Sequence, residues 1–333
     1  MSNGIVFMPN RTIQSTRPEK LQHYFIKAAD FLSTRGKSLD VGAGPGYSFV
    51  PMEEAQCILC GPSRRRTVFT KPSADGEAFT LVRCASCGLH YLSPRPSENE
   101  IGRYYQAAYF TRRTDRGYDN YFAPGTRAEI ERLFLLNLED LGFPEYERTL
   151  PGSRMALDIG CAAGYFVNML ATRGWKASGI DISESCVSFA RDRLNLDVTR
   201  GSYLEKRYEN KFDLISLWAT IEHLHRPDLF LEKIHGDLCD AGRLYLSTCR
   251  AGGASFMRLY GSRWRYYNFP EHLYFFSVGQ MKRLLAANGF RLVGCRTYGS
   301  GFGRPGSLAR RTADFAAKRF GLGDMMVVAA EKA

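Results

Sequence analysis

Apolar residues recur along this chain with two periods, and the change of period divides it. Residues 1–17 are polar and carry no pattern. EKLQHYFIKAADFLSTRG (19–36) repeats Leu21, Phe25, Ala28, Ala29 and Leu32 at helical spacing and ends on glycine, which predicts a helix with a stop signal. TRAEIERLFLLNLEDLGF (126–143) predicts a second amphipathic helix through Ile130, Leu133, Phe134 and Leu138. From residue 153 onward, apolar runs alternate with helix-length segments. Strands are expected at 154–159, 176–181, 196–201, 212–218 and 243–248, and helices at 165–174, 227–239 and 277–290. RLVGCRTYG (291–299) and DMMVVAAEK (324–332) read as a closing antiparallel pair. Such alternation means an α/β fold with a parallel sheet covered on both faces.

At 333 residues the chain has material for two domains, or for one large α/β domain with an appendage. Its 44% hydrophobic and 24% charged residues are those of an ordinary globular protein. The longest apolar runs, LISLWA (214–219) and MMVVAA (325–330), are far too short to span a bilayer. The N-terminus lacks a basic-then-apolar signal pattern, so a cytoplasmic location is expected. Nine cysteines without secretory context argue against a disulfide framework. The net charge of +11 changes the picture more, with arginines clustered at 63–67, 110–117 and 304–320. Each cluster alone reads as a solvated face. Together they suggest a partner carrying phosphate or carboxylate, such as a sugar nucleotide, a lipid-linked phosphate or RNA.

Two stretches look like the strand-then-glycine turn that carries a nucleotide-like ligand: SLDVGAGPGYSF (38–49) and ALDIGCAAGYFV (156–167). The first has Gly42, Gly44 and Gly46 after Asp40, but Pro45 and Pro51 flank the would-be helix, and no second strand follows. In the second, Asp158 ends a strand and Gly160, Cys161, Ala162, Ala163 and Gly164 make the turn. A helix follows, then a strand ending in Asp181. An acidic residue at that tip accepts both hydroxyls of a ribose, while the glycines let backbone approach the ligand. The second turn is therefore the expected working site, and the first a truncated duplicate or upstream extension.

CILCG (57–61) and CASCG (84–88) form a C-x2-C, 23-residue gap, C-x2-C arrangement. Four thiolates, Cys57, Cys60, Cys84 and Cys87, on two tight turns close the tetrahedral shell that structural zinc prefers. Two β-like runs around PSADG fill the gap, as in a zinc ribbon. His90 stands nearby, but four cysteines leave it no role as a ligand.

The stretch 154–248 resembles class I S-adenosylmethionine-dependent methyltransferases. The resemblance is carried by LDIGCAAGYF (157–166), SGIDIS (178–183), FDLISLWATIEHLHRPDLFLEKI (212–234) and AGRLYLST (241–248), in that order. Dehydrogenases share the first βαβ unit, but the IEHLHRPD segment is a methyltransferase feature. The resemblance implies a Rossmann-like seven-stranded sheet with a reversed last strand, and S-adenosyl-L-methionine as cofactor. It implies that Asp158, Gly160 and Gly164 line the methionine part, with Cys161 in the same turn. Asp181 would hold the ribose, with Ile182 beside it, and Ser202 and Tyr203 would lie near the adenine. Trp218 and Ala219 would close the site. Many members carry an acidic residue where Ser202 stands, which puts the adenine contact in doubt. A subset also resembles this chain through an N-terminal zinc ribbon, a P-R-P turn and a tyrosine-rich helix, here GLHYLSPRPSENEIGRYYQAAYF (88–110). Most of its aromatic residues are expected to pack the ribbon, with Tyr105 or Tyr109 reaching the pocket. The implied layout is an extension at 1–52, a ribbon at 53–98, a helical linker or lid at 99–150, and the methyltransferase domain at 151–333.

Methyl transfer from a sulfonium is an in-line displacement, for which alignment of the acceptor is a large part of catalysis. An alcohol acceptor also has to lose its proton, usually to histidine or a carboxylate. Of six histidines, His23 and His90 lie outside the methyltransferase stretch and His235 falls within a helix. By resemblance to sugar methyltransferases with a Glu-His pair, His272 in RWRYYNFPEHLYFFS (263–277) is the first choice as base, with Glu271 orienting or charging it. His223, beside Glu222, is the second. Arg263 and Arg265, with Trp264, Tyr266 and Tyr267, form a basic aromatic strip suited to an anionic or sugar-bearing substrate. The expected function is methyl transfer to a small molecule, with O-methylation of a sugar or other hydroxylated biosynthetic intermediate foremost. The alternatives are an RNA methyltransferase using the ribbon and basic surface, and a non-catalytic zinc-ribbon scaffold.

Overall fold

The computed structural model describes residues 51–73, 76–105, 107–111, 120–252, 256–299 and 307–333, all within a unit spanning Val50–Ala333. The first glycine turn, with Asp40, Gly42, Gly44 and Gly46, and the helix expected at 19–36 lie outside the described residues, as do parts of the arginine clusters at 110–117 and 304–320.

The cysteine-bearing module consists of β1 (Met52–Glu53), β2 (Arg65–Pro72), β3 (Ala78–Cys84), β4 (His90–Leu92) and β5 (Arg95–Pro96). β2 and β3 form the antiparallel hairpin expected around PSADG, β4 adds to β3, and β1 pairs with β5. A 3-10 turn at Ile101–Tyr105 leads to α1 (Ala107–Thr111), α2 (Pro124–Asp140) and α3 (Phe143–Thr149). α2 starts at Pro124, in the first turn, where a missing N–H breaks no helical bond. Gly142, at φ +71°, turns the chain into α3.

Then follow β6 (Met155–Ile159), α4 (Tyr165–Thr172), β7 (Lys176–Asp181), α5 (Glu184–Leu194), β8 (Val198–Arg200), β9 (Phe212–Trp218), α6 (Pro227–Asp237) and β10 (Leu238–Cys249). The remainder is α7 (Phe256–Tyr260), β11 (Tyr274–Phe275), α8 (Val278–Ala287), β12 (Phe290–Tyr298), α9 (Leu308–Arg319) and β13 (Met325–Lys332). Seven strands form one sheet in the order β12-β13-β10-β9-β6-β7-β8. β13 runs antiparallel to both neighbours, whereas β10, β9, β6, β7 and β8 are parallel. This is the Rossmann-like methyltransferase sheet with a reversed last strand. The order changes direction between β6 and β9, and open α/β sheets bind ligands beyond the carboxyl ends of strands at such a point.

The helix expected at 227–239 stops at Asp237, because Leu238 leaves it to pair with Phe212 at the foot of β10. α9 was not expected: of its alanine- and arginine-rich residues only Ala317 is buried, while Leu308 and Phe315 are exposed. β11 belongs to neither half alone. It pairs antiparallel with β4, Tyr274 opposite Tyr91 and Phe275 opposite His90, giving a four-stranded sheet β11-β4-β3-β2. One apolar core accordingly runs from Phe79, Leu81 and Tyr91 through Trp264 and Leu273–Phe276 to Ile159 and Leu217.

Candidate active site and metal centre

At the carboxyl end of β6, Asp158 is buried and accepts a hydrogen bond from the Ser216 hydroxyl of β9 at 2.7 Å. Burial pushes its carboxyl up to about 8, against the lowering effect of Ser216. The turn beyond it needs glycine: Gly160 sits at φ +70°, and a Cβ there would lie 2.6 Å from the side chain of Thr220. Asp181, at the end of β7, braces this turn. One carboxylate oxygen accepts from the Ala162 N–H at 2.8 Å and the other from the Ser183 N–H at 2.8 Å. Burial raises its pKa, opposed by N–H groups of Ser183, Ala162 and Ile182. Beside it opens a cavity of about 510 Å³ lined by Gly102, Tyr105, Ile182, Ser183, Glu184, Ser185 and Arg200. Ile182 is 50% exposed there.

Tyr105 connects this cavity to the histidines. Its hydroxyl lies 2.8 Å from His223 Nδ1, which is also 2.8 Å from the Glu271 main-chain carbonyl. A carbonyl only accepts, so this contact is satisfied with the His223 proton on Nδ1. The Tyr105 hydroxyl donates to the same carbonyl at 3.3 Å. The His272 ring stands perpendicular to that of His223, with centroids 4.6 Å apart. Glu222, His223 and His272 bring titratable atoms within 4.8 Å of one another, and Glu222 is buried. Glu271 reaches His223 through its main-chain carbonyl, and its own side chain is buried directly before His272 in the chain.

Several expected contacts change. The Tyr203 side chain does not face the cavity: it is buried against Phe230 and Tyr208, and its hydroxyl donates to Asp237 at 2.6 Å. Ser202 stays at the turn, where the Gly201 N–H donates to the Asp181 carbonyl at 3.0 Å. Cys161 turns its sulfur inward, so that a Cβ on Gly179 would meet it at 2.7 Å, and burial raises its thiol well above the usual range. Trp218, the half-buried last residue of β9, packs against Phe134 and Phe166. Ala219 follows at φ +49°, its N–H bonded to Ser247. The basic aromatic strip is divided: Trp264 and Tyr267 are buried and unavailable to a substrate, while Arg265 bonds the Tyr266 hydroxyl. Tyr109 is buried against Tyr105 and Phe110. Sequence reasoning missed Ser183, Ser185 and Arg200 in the cavity wall. The helix-start signal S-E-S-C at 183–186 would have pointed to the two serines, since Ser183 caps α5.

The ligand atoms of Cys57, Cys60, Cys84 and Cys87 lie within 4.8 Å of one another, with 3.5 Å between the Cys57 and Cys87 sulfurs. Sulfurs about 3.8 Å apart enclose a tetrahedral zinc at about 2.3 Å, so the set fits that ion. Burial pushes the Cys57 thiol up, whereas at Cys84 the Ser63 hydroxyl and N–H groups of Cys87 and Ser86 overcome burial and bring it down to about 6. His90 is a strand residue in β4, and burial, then Arg83, lowers its pKa to about 4.

The family model described as a methyltransferase domain matches residues 126–294. A ubiquinone biosynthesis O-methyltransferase of Coxiella burnetii is 23% identical over 176 residues, covering 50% of this chain and 75% of that protein. The mitochondrial ubiquinone biosynthesis O-methyltransferase of Schizosaccharomyces pombe is 27% identical over 110 residues, covering 31% and 40%. Among solved structures, the magnesium protoporphyrin IX methyltransferase of Synechocystis PCC 6803 aligns with a TM-score of 0.50 at 15% identity, over 71% of this chain and 100% of that one, a likeness of fold. The matched half of the chain carries the glycine turn, Asp181 and His223, and by that match the chain belongs to the methyltransferase-domain family, as a class I S-adenosylmethionine-dependent methyltransferase.

Proposed function

We propose that this enzyme methylates a hydroxyl group of a small molecule, a sugar or another hydroxylated biosynthetic intermediate, in the cytoplasm. The observation that carries the reading is Tyr105, which lines the cavity beside Asp181 and also bonds His223. That contact supports a proton acceptor beside the cavity proposed for the nucleoside-bearing ligand. Kinship with ubiquinone biosynthesis O-methyltransferases supports oxygen as the methylated atom.

Bound S-adenosyl-L-methionine supplies an electrophilic methyl group. Asp181 and Ser202 hold the ribose and adenine side, Ile182 covers the ring, and the turn Asp158–Gly164 with Ala219 borders the methionine part. Cys161 and Tyr203 contribute main chain there. His223 takes the acceptor's O–H proton on Nε2 as the oxygen attacks, and the resulting imidazolium is stabilised by the Glu271 carbonyl and by Glu222. His272, perpendicular to His223, orients the acceptor and relays the proton. Such proton removal contributes about 100- to 10,000-fold in rate. Residues 53–98 form a zinc ribbon, in which Cys57, Cys60, Cys84 and Cys87 hold the ion in a structural role. Residues 99–150 form the linker with Tyr105, and 151–333 the catalytic domain.

The test incubates purified protein and S-adenosyl-L-methionine with panels of nucleotide sugars, catechols and unmodified RNA, reading S-adenosylhomocysteine release and product mass. Release that depends on a hydroxylated small molecule, with an O-methyl product, is expected. Methylation of RNA alone would overturn the reading.

A further inference from the structure

We infer that Arg95, in the cysteine-bearing module, is a positioning residue for the active site, tying the loop that carries His223 to the loop that carries His272. The inference rests on the proposed proton-handling role of that pair.

Arg95 is 5% exposed, and its three nitrogens go to three different segments. Nε donates to Glu53 Oε1 at 2.7 Å, which compensates the buried charge. Nη1 donates to the Tyr274 hydroxyl at 3.0 Å, and Nη2 to the His225 main-chain carbonyl at 3.3 Å. The Tyr274 hydroxyl donates to that same carbonyl at 3.3 Å, closing a triangle. The positions held are significant: His225 is two residues beyond His223, and Tyr274 two residues beyond His272. A planar guanidinium with a fixed fork suits the task, and a lysine ammonium could not reproduce it.

Other contacts make the same connection. The Leu273 N–H donates to the Glu222 carbonyl at 2.8 Å, joining the two loops directly. The Leu92 N–H donates to the Leu273 carbonyl at 3.0 Å, and β11 continues as a strand of the module's own sheet. His225 Nε2 donates to the Pro96 carbonyl at 2.9 Å. Gln280, at the start of α8, donates to the Cys87 carbonyl at 2.9 Å. Each histidine loop is thus held from the module's side as well as by the catalytic sheet. The module thereby bears on the Glu271 carbonyl, and with it on the His223 proton, because Glu271 stands directly before His272.

The experiment uses full-length, zinc-loaded protein labelled with 15N-histidine and saturated with S-adenosylhomocysteine. Long-range 1H–15N spectra report which ring nitrogen of each histidine carries the proton, with His223→Asn and His272→Asn supplying the assignments. Wild type is expected to show His223 as the Nδ1–H tautomer. Arg95→Met is expected to move it to Nε2–H or a mixture, with S-adenosylhomocysteine affinity within twofold of wild type. Arg95→Lys restores charge but not the fork, and is expected to recover thermal stability without recovering the tautomer. Unchanged His223 and His272 signals in Arg95→Met would overturn the inference, leaving Arg95 a packing residue. If Arg95→Met fails to fold, Arg95→Lys and Tyr274→Phe decide by the same signals. An Nε2–H tautomer at His223 in wild type would instead overturn the proposed role of the pair, whatever the Arg95 variants do.

Discussion

Asp158 shows how burial sets the chemistry of a single side chain. Its folded-state pKa of about 8 lies far above the ordinary carboxylate value, so the folded protein keeps a proton that the unfolded chain releases. The resulting stability is fully present below about pH 4 and is lost as pH rises to about 8. Asp158→Asn keeps an acceptor for Ser216 and does not titrate. Its melting temperature relative to wild type should climb steadily from pH 5 to pH 8 and then level off; a constant offset would contradict the assignment. Gly160 illustrates strain at the same scale. In Gly160→Ala the left-handed backbone costs about 1–2 kcal/mol, and the new methyl group meets Thr220. Cofactor affinity should fall at least tenfold by calorimetry, and Thr220→Ala in the same chain should recover part of it. Equal affinities of the single and double variants would show that Thr220 is not the obstacle.

At the scale of elements, α8 joins the segment after His272 to the four-cysteine cluster. Ser277 and Gln280 form a reciprocal capping box at its start, and the Gln280 amide also donates to the Cys87 carbonyl. Gln280→Glu retains the box but loses that donor and sets a carboxylate against the cysteine cluster. Chelator competition should then show faster zinc loss, with a stability loss of about 1 kcal/mol. Zinc loss at the wild-type rate would mean that the contact is incidental. The alternating strands and helices after residue 153 were legible because each carries its own period. β11 was not, since two residues have no periodicity and their partners in β4 are separated from them by most of the chain. The direction of Tyr203 was equally hidden. A tyrosine after a strand tip reads as a wall of the pocket, and only the position of Asp237 on α6 shows that it turns into the core.

For the whole molecule, the cysteine-bearing module and the methyltransferase sheet share a core, and β11, from the chain beyond β10, completes the module's own sheet, so a metal held by the four cysteines should matter beyond the module. Stripping zinc from the intact chain is expected to lower the melting temperature and the turnover number together, while leaving affinity for S-adenosylhomocysteine largely intact. The reason is that Asp158, Asp181 and Ile182 stand on β6 and β7 and just beyond them, far in sequence from the β4–β11 seam. The cysteine spacing announced the four-cysteine cluster and the second glycine turn its strand-turn-helix, but nothing in either pattern showed that the segment after His272 joins the sheet of the cysteine-bearing module. The central claim is that His223 removes the acceptor's proton beside the cofactor cavity. Its most direct test measures turnover of His223→Asn on an acceptor taken by wild type, together with the Kd for S-adenosylhomocysteine. A fall in kcat of at least about 100-fold with Kd within twofold is expected; kcat within threefold of wild type would contradict a proton-removing role for His223.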